Sequence, residues 1–153
     1  MDVIEVRHGE LMESITRQAA ERGITYAAIV ALIGAVDSFT VSTPPCGDPT
    51  SHTYNNYPLP AEMTATGEIV DGKPHIHAVM AVQGDRTIGG HLHSAQLGSS
   101  FARAYVMPSD QRVAIQDNEE IVFAPVPDIP PGRGRLSDTR VRPPVADAAR
   151  KHL

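Results

Sequence analysis

Two pairs of histidines near the middle of the chain constrain its local fold more than any other feature. His75 and His77 lie in the run Pro-His-Ile-His-Ala-Val-Met-Ala-Val, whose apolar and β-branched residues predict a β-strand. His91 and His93 lie after Gly84-Asp85, on a segment that predicts the return strand of a hairpin. Side chains two residues apart on a strand project from one face. Each pair therefore presents two imidazoles on one side of its strand.

The length of the turn decides whether the two pairs meet. A two-residue turn at Gly84-Asp85 places His77 opposite Leu92, and the pairs then project from opposite faces. A three-residue loop over residues 83–85, or a bulge at Gly89-Gly90, brings the pairs to one face and opposite each other. Consecutive glycines readily accommodate an extra residue in a strand, so we favour this second register.

In that register His77 lies opposite His91, and His75 lies opposite His93. Opposed Cβ atoms are about 5 Å apart, and imidazole nitrogens bind zinc at about 2.0–2.1 Å. We therefore predict a divalent metal site, with zinc as the favoured ion. Three protein ligands and an open position are typical of catalytic zinc, and four ligands of structural zinc. The alternative is a set of ordinary histidines on a half-exposed sheet, hydrogen-bonded to backbone or water.

The same residues resemble the signature of a known domain family. Gly72-Lys-Pro-His-Ile-His77, followed by Gly89-Gly-His-Leu92, is similar to the motif of the PPC domain, which is conserved in plants and prokaryotes and occurs in plant AT-hook nuclear proteins. The layout of residues 5–107 is similar as well. The resemblance implies a homotrimer of mixed α and β structure. The metal ligands that it implies are His75, His77 and His91.

The chain departs from the family pattern directly after this motif. The family usually continues with Leu and an acidic residue, whereas this chain has His93-Ser-Ala-Gln96. The change adds an imidazole and removes a carboxylate, so a family role for that acid does not carry over. His93 is then either a fourth ligand or a free imidazole for proton transfer, since histidine titrates near neutral pH.

Glu68 is a further candidate for the site. Residues 62–70 predict the strand before the hairpin, and strands consecutive in sequence usually pair. Glu68 would then lie near the metal as a general base or as the hydrogen-bond partner of a metal ligand. The alternative is an exposed carboxylate on the solvated face of the sheet.

Residues 44–60 contain five prolines and almost no apolar periodicity, which predicts a long loop. Long loops in small domains often form lids or binding segments. Tyr54 is therefore a candidate to hydrogen-bond a small polar ligand above the metal, and a solvated surface loop is the alternative. The other polar groups available on this loop are His52, Asn55, Asn56 and Tyr57.

The rest of the core predicts an α+β fold, a mostly antiparallel sheet with one main covering helix. Residues 10–22 repeat apolar side chains four apart and end at Gly23, which predicts an amphipathic helix. Residues 26–36 form an unbroken apolar run, too short to span a bilayer, and predict a strand covered on both faces. The helix can cover one face of this strand. A second subunit or a fully internal core can cover the other face. We expect a bend or bulge at Gly34, and further strands over residues 3–7, 37–43 and 99–107.

The composition is that of one globular domain, which we place at residues 1–127. The chain has 153 residues, of which 41% are hydrophobic and 20% charged. Its one cysteine, Cys46, excludes an internal disulfide and fits a reducing compartment. The N-terminal residues lack the features of a signal peptide, so we expect a cytoplasmic protein without a membrane partner.

Residues 128–153 differ in charge from the rest and predict an extended, proline-rich arm. They contain six basic and three acidic residues, whereas residues 1–127 contain seven basic and fifteen acidic ones. Within the arm, Pro131-Gly-Arg-Gly-Arg-Leu136 is similar to the Arg-Gly-Arg-Pro core by which AT-hooks enter the minor groove of A·T-rich DNA, although leucine stands where proline is expected. The arm would bind DNA, dock on a neighbour or stay mobile.

These features support two functions from different classes. The first is a metal-dependent enzyme on a small metabolite, of the lyase, dehydratase or hydrolase type, in which zinc or another divalent metal activates a water or polarises a carbonyl. The acidic body, which would repel nucleic acid, favours it. The catalytic candidates are then His93, Glu68 and Tyr54. The second is a DNA-associated regulatory protein in which the metal only fastens the hairpin.

Overall fold

Ten strands and one helix form the part of the chain described by the computed structural model, namely residues 1–110 and the backbone of residues 121–123. The helix, α1, is Leu11–Glu21. The strands are β1 (Asp2–Val6), β2 (Gly9–Glu10), β3 (Ala27–Val36), β4 (Ser38–Thr43), β5 (His52–Tyr57), β6 (Ala61–Val70), β7 (Lys73–Val82), β8 (Arg86–Leu97), β9 (Ala102–Pro108) and β10 (Ile121–Phe123). Residues 128–153, predicted to form the arm, lie outside the described residues.

The strands form one sheet in the order β1-β9-β3-β6-β7-β8-β4-β5-β10, and β2 pairs with β8. Each pairing is antiparallel except that of β5 with β10. The predicted α+β fold, a mostly antiparallel sheet with one covering helix, is confirmed. The hairpin of β7 and β8 lies inside the sheet, between β6 and β4, so a further strand supports each side of the histidine pairs. Within the described residues, no helix is both long and apolar enough to cross a bilayer.

Helix α1 covers one face of the sheet, as its apolar spacing predicts. Glu10 caps the first turn by accepting a hydrogen bond from Glu13 N at 2.7 Å, and Gly23, at φ +67°, follows the last turn. The second carboxylate oxygen of Glu10 accepts a hydrogen bond from Ala95 N of β8 at 3.0 Å. The start of the helix is thereby tied to the strand that carries the second histidine pair. The buried helix residues are Leu11, Ile15 and Ala19.

Strand β3 has one face in the core and one face exposed. Ile29 and Leu32 are buried on the helix side, whereas Val30 and Ile33 are each 44% exposed. The predicted strand is confirmed, but within the described residues the chain does not cover its second face. A second subunit and a fully internal core both stay predictions for the cover of that face. Other exposed apolar side chains on the sheet are Val3, Val79 and Met107.

The irregularity in β3 lies at Val30 and not at Gly34, where we predicted a bend or bulge. The pairing with β9 shifts between Ile29 and Ala31, which leaves Val30 as the extra residue. Gly34 stays in regular register with β6 and β9. A Cβ at Gly34 would lie 2.1 Å from the carbonyl oxygen of Phe101. Glycine is required there because two backbones approach closely.

Residues 52–57 form strand β5, so the predicted loop over residues 44–60 was wrong in its middle. Residues 53–57 of this strand pair with β4. Its sequence shows no apolar alternation, and Tyr57 is its one buried side chain. The Tyr57 ring stacks on the Phe39 ring with centroids 5.0 Å apart. These residues form a strand because the tertiary fold brings β4 alongside them, and not because of an apolar pattern in their own sequence. Tyr54 is consequently held in a sheet.

Candidate metal centre

The hairpin of β7 and β8 has the register that brings the histidine pairs together. Val82 pairs with Arg86, so residues 83–85 form a three-residue loop, and His77 pairs with His91. The ladder runs through Gly89-Gly90 without a shift. The predicted register is confirmed, but the glycine bulge that we favoured as its cause was wrong, because the loop length alone sets the alignment.

The glycine pair has a different role, which is to let β4 approach β8. A Cβ at Gly90 would lie 2.4 Å from the carbonyl oxygen of Ser42, closer than real Cβ atoms come to an oxygen. A Cβ at Gly89 would lie 3.4 Å from the carbonyl oxygen of Ala78, which is ordinary contact. Only Gly90 is therefore required by packing, and it brings the Ser42 side chain into the neighbourhood of the histidines.

His93 lies at a β-bulge. In the pairing of β4 with β8, Thr40 lies opposite Ser94 and Val41 lies opposite Leu92, so His93 is the extra residue between them. The ladder between β7 and β8 ends at the pair of His77 with His91. The predicted pairing of His93 with the first histidine of β7 was wrong, because the bulge turns His93 towards β4.

Three imidazoles converge on the face of the sheet opposite α1. One ring nitrogen from each of His75, His77 and His91 lies within 4.8 Å of the others. Two nitrogens bound to one tetrahedral zinc ion are about 3.4 Å apart, so the three nitrogens would have to move closer by up to about 1.4 Å, through ring rotation, to share one ion. His77 is exposed, and the other two are half-buried. The donor set fits zinc, because imidazole nitrogen is one of its preferred ligands.

Glu68 lies directly opposite His75 across β6 and β7. Its Oε1 atom is 3.2 Å from Nδ1 of His75. A carboxylate at that distance accepts a hydrogen bond from Nδ1–H and leaves Nε2 as the donor to an ion, which is the usual arrangement around metal-bound histidines. The structure thus places Glu68 beside His75, at the predicted site.

His91 occupies the most enclosed position of the three. Burial is the largest cause that lowers its pKa, and the neighbouring imidazoles of His93, His75, His77 and His52 lower it further, to about 4. His91 is therefore uncharged at neutral pH, as a metal ligand must be.

A second polar cluster, which the sequence did not indicate, adjoins the triad. The Ser42 side chain is buried, and its Oγ lies 2.8 Å from Nε2 of His93 and 3.4 Å from Nδ1 of His52. The ring of Tyr54 packs on that of His93 with centroids 4.3 Å apart. The ring of His91 lies 4.5 Å from the His93 ring on the other side. His93 is thus positioned by β4 and β5, and Tyr54 contacts His93.

An open cleft of about 1100 Å³ lies over the triad, bounded by β6, β7, β8 and the start of the β4–β5 connection. This volume slightly exceeds the range of about 300–1,000 Å³ that is typical of small-molecule sites. A shallower hollow of about 510 Å³ approaches His91 and His93 from the side of α1. His91 borders both spaces. Cys46 is exposed and does not line the cleft.

The family match covers the whole region that builds this site. Residues 2–108 match the Plants and Prokaryotes Conserved domain. The chain belongs to this family. The PPC domain of this chain therefore includes the single helix, both histidine pairs and strands β1 to β9, as the motif resemblance implied. No curated protein matches the sequence.

Solved structures share the PPC fold. A proposed DNA-binding protein from Ralstonia eutropha JMP134 is 25% identical with a TM-score of 0.61, over 72% of this chain and 78% of that chain. A metal-containing protein from Archaeoglobus fulgidus is 26% identical with a TM-score of 0.58, over 70% of this chain and 77% of that chain. A PPC protein from Pyrococcus horikoshii is 18% identical with a TM-score of 0.63, over 73% and 80% of the two chains, and shows the fold alone.

Proposed function

We propose that this PPC-domain protein is a zinc-dependent enzyme of the lyase, dehydratase or hydrolase type that acts on a small metabolite. The observation that carries the proposal is the convergence of three imidazole nitrogens, from His75, His77 and His91, beneath a cleft that can admit a small molecule. Three histidine ligands with one position left for water or substrate is the ligand count of catalytic zinc.

The donor set and one relative support the metal. Three neutral imidazoles suit zinc better than magnesium or calcium, which prefer oxygen ligands. The Archaeoglobus fulgidus protein, 26% identical, is described as metal-containing. When bound, zinc would activate a water molecule or polarise a carbonyl oxygen of the substrate. Glu68 would hold His75 in the tautomer and orientation that binding requires.

His93 is the group to which we assign proton transfer. The Ser42 hydroxyl and the Tyr54 ring fix its position, and its ring centroid lies 4.5 Å from that of His91. A substrate held at the triad would therefore lie next to His91, which borders both the cleft and the hollow that His93 lines, and a water beside His91 would complete the path for the proton. Hydration, dehydration, elimination and hydrolysis each need such a transfer. Tyr54 of β5 would act by holding the His93 ring in position through the contact between their rings.

We also propose that the protein assembles as a homotrimer in the cytoplasm. The face of the sheet away from α1 exposes Val30, Ile33, Val79 and Met107 in the single chain. Apolar residues clustered on one exposed face mark an association surface. The family resemblance implies a trimer, and burial of this face between subunits would give β3 the second cover that its apolar sequence requires.

The test uses an activated ester as a probe of a metal-bound nucleophile. Zinc content and 4-nitrophenyl acetate hydrolysis would be measured for the wild type and for His91→Ala, His93→Ala and His8→Ala, the last an exposed histidine away from the cleft. We expect His91→Ala to lose zinc and hydrolysis together. His93→Ala should keep zinc and lose hydrolysis about 100-fold, and His8→Ala should match the wild type. If His93→Ala changed neither quantity, the assignment of His93 would be wrong.

A second candidate function is DNA association. It is favoured by the description of one neighbour, the Ralstonia eutropha protein at 25% identity, as a proposed DNA-binding protein. The excess of basic residues in positions 128–153 would supply the phosphate contacts. This function predicts a gel shift at low salt that weakens steeply as salt rises and disappears when residues 128–153 are deleted. The absence of any shift at low salt would exclude it.

A further inference from the structure

We infer that the cleft over the histidine triad binds a small organic anion, with the carboxylate or phosphate group of the ligand held beside Lys73. This inference rests on the proposed metal site and names the substrate class for it.

The lining of the cleft excludes acidic side chains in a domain that is rich in them. Residues 1–127 contain fifteen acidic and seven basic residues. Among the described residues that line the cleft, Lys73 is the one side chain of fixed charge, and no Asp or Glu is present. An acidic domain with a cleft free of carboxylates has its most favourable site for an anion there. A bound divalent ion would strengthen this preference.

Two carboxylates on elements that border the cleft have hydrogen-bond partners of their own. Asp48 accepts hydrogen bonds from Thr50 N at 3.0 Å, from Thr50 Oγ1 at 2.7 Å and from the hydroxyl of Ser51. These bonds lower the pKa of Asp48 to about 2, with the bond from Ser51 as the largest cause. Glu68 faces Nδ1 of His75. Neither carboxylate lines the cleft, so neither competes with an anionic ligand for Lys73.

Lys73 is placed to reach a ligand at the triad. It lies two residues before His75 on β7, so their side chains project from the same face with backbones about 6.6 Å apart. Its side chain is exposed, and no salt bridge in the described part of the chain involves it. Lys73 and the three histidines line the same cleft, so an anionic ligand at the triad would lie on the same side of the sheet as the ammonium group. The Thr66 hydroxyl, next to His77 on the paired strand, adds a hydrogen-bond donor.

The floor of the cleft leaves room for the rest of the ligand. Gly89 and Gly90 carry no side chains where β8 passes under the cleft. Packing requires glycine only at Gly90, because a Cβ at Gly89 would meet nothing closer than 3.4 Å. The absence of a side chain at Gly89, beside Val79, keeps this part of the floor open. The ligand would therefore place its anionic group near Lys73 and its carbon skeleton over the glycines.

The test titrates inorganic phosphate into zinc-loaded protein by calorimetry, with zinc content measured first. The variants are Lys73→Gln, Lys73→Arg and Arg7→Gln, the last a control that removes one positive charge away from the cleft. We expect Lys73→Gln to weaken phosphate binding about tenfold, the scale of one charge-assisted hydrogen bond. Lys73→Arg should keep most of the affinity, and Arg7→Gln should change it less than twofold.

The outcomes separate this inference from the metal site. Zinc bound without measurable phosphate binding, or equal phosphate affinities in the wild type and Lys73→Gln, would overturn the anion site and leave the metal site standing. Failure of the wild type to bind zinc would overturn the metal site and the anion site that rests on it. Circular dichroism on each variant would exclude a loss of folding as the cause of weaker binding.

Discussion

Glu68 and His75 face each other across β6 and β7, with Oε1 of the carboxylate 3.2 Å from Nδ1 of the imidazole. The strand pairing that aligns the two residues also determines which nitrogen of His75 points to the triad. In the proposed metal site, the carboxylate would therefore act through the orientation of a ligand and would not need to touch the ion.

Replacement of this carboxylate tests that relationship. We expect Glu68→Gln to lower zinc affinity by about 10- to 100-fold, because loss of the charged acceptor weakens the orientation and basicity of His75. Competition with a chromogenic chelator would measure the affinity. Glu62→Gln is the matched control, since Glu62 is an exposed acid on the same strand. Equal affinities for the two variants would contradict a specific role for Glu68.

The two adjacent glycines of β8 should differ sharply when replaced. We expect Gly90→Ala to destabilise the fold by about 1–3 kcal/mol, because its Cβ would meet the Ser42 carbonyl oxygen and force β4 away. Gly89→Ala should be neutral or slightly stabilising, since its Cβ makes ordinary contact and alanine restricts the unfolded chain. Urea unfolding of both variants would measure the difference, and similar losses from both would contradict the close approach of β4.

The stability of the zinc-free protein should depend on pH through His91. Burial lowers the pKa of His91 in the folded state from 6.5 to about 4, so the unfolded chain binds the proton first as the pH falls. Stability from this group is complete above pH 6.5 and is lost as the pH falls towards 4. Urea midpoints at pH 7.5 and 4.5 would show a larger loss for the wild type than for His91→Gln. Equal losses in the two proteins would contradict the lowered pKa.

The exposed apolar face should control assembly. We expect Ile33→Asp to dissociate the proposed trimer, because it places a charge among the apolar side chains of that face. Light scattering coupled to gel filtration would report the mass. Ala20→Asp adds the same charge on the exposed side of α1 and should leave the mass unchanged. A monomeric wild type would refute the trimer outright.

Local patterns predicted the parts of the fold that depend on neighbours in sequence. The spacing of Leu11, Ile15 and Ala19 predicted the helix, and the run of apolar and β-branched residues around His75 and His77 predicted the hairpin strand. The three-residue loop was among the alternatives considered and proved to be the cause of the register. Each of these features is set by the period of side chains along one element or by the length of one turn.

Features that depend on a strand distant in sequence were not predictable in the same way. Strand β5 has no apolar period and exists because β4 pairs with it. The contact of Ser42 with His93 joins residues 51 positions apart and depends on a bulge that only the pairing of β4 with β8 reveals. The requirement for glycine at positions 34 and 90 likewise depends on a neighbouring backbone that lies too close for a Cβ atom. These long-range pairings complete the site around a triad that the motif indicated.

The most direct test of the metal centre is a crystal structure of the zinc-saturated protein, with diffraction data collected on both sides of the zinc absorption edge. We predict one anomalous peak per chain, within about 2.0–2.1 Å of one nitrogen each from His75, His77 and His91, with no bond from His93. Imidazoles that share no anomalous peak under saturating zinc would contradict the metal site. A fourth bond from His93 would make the zinc structural and contradict the catalytic role.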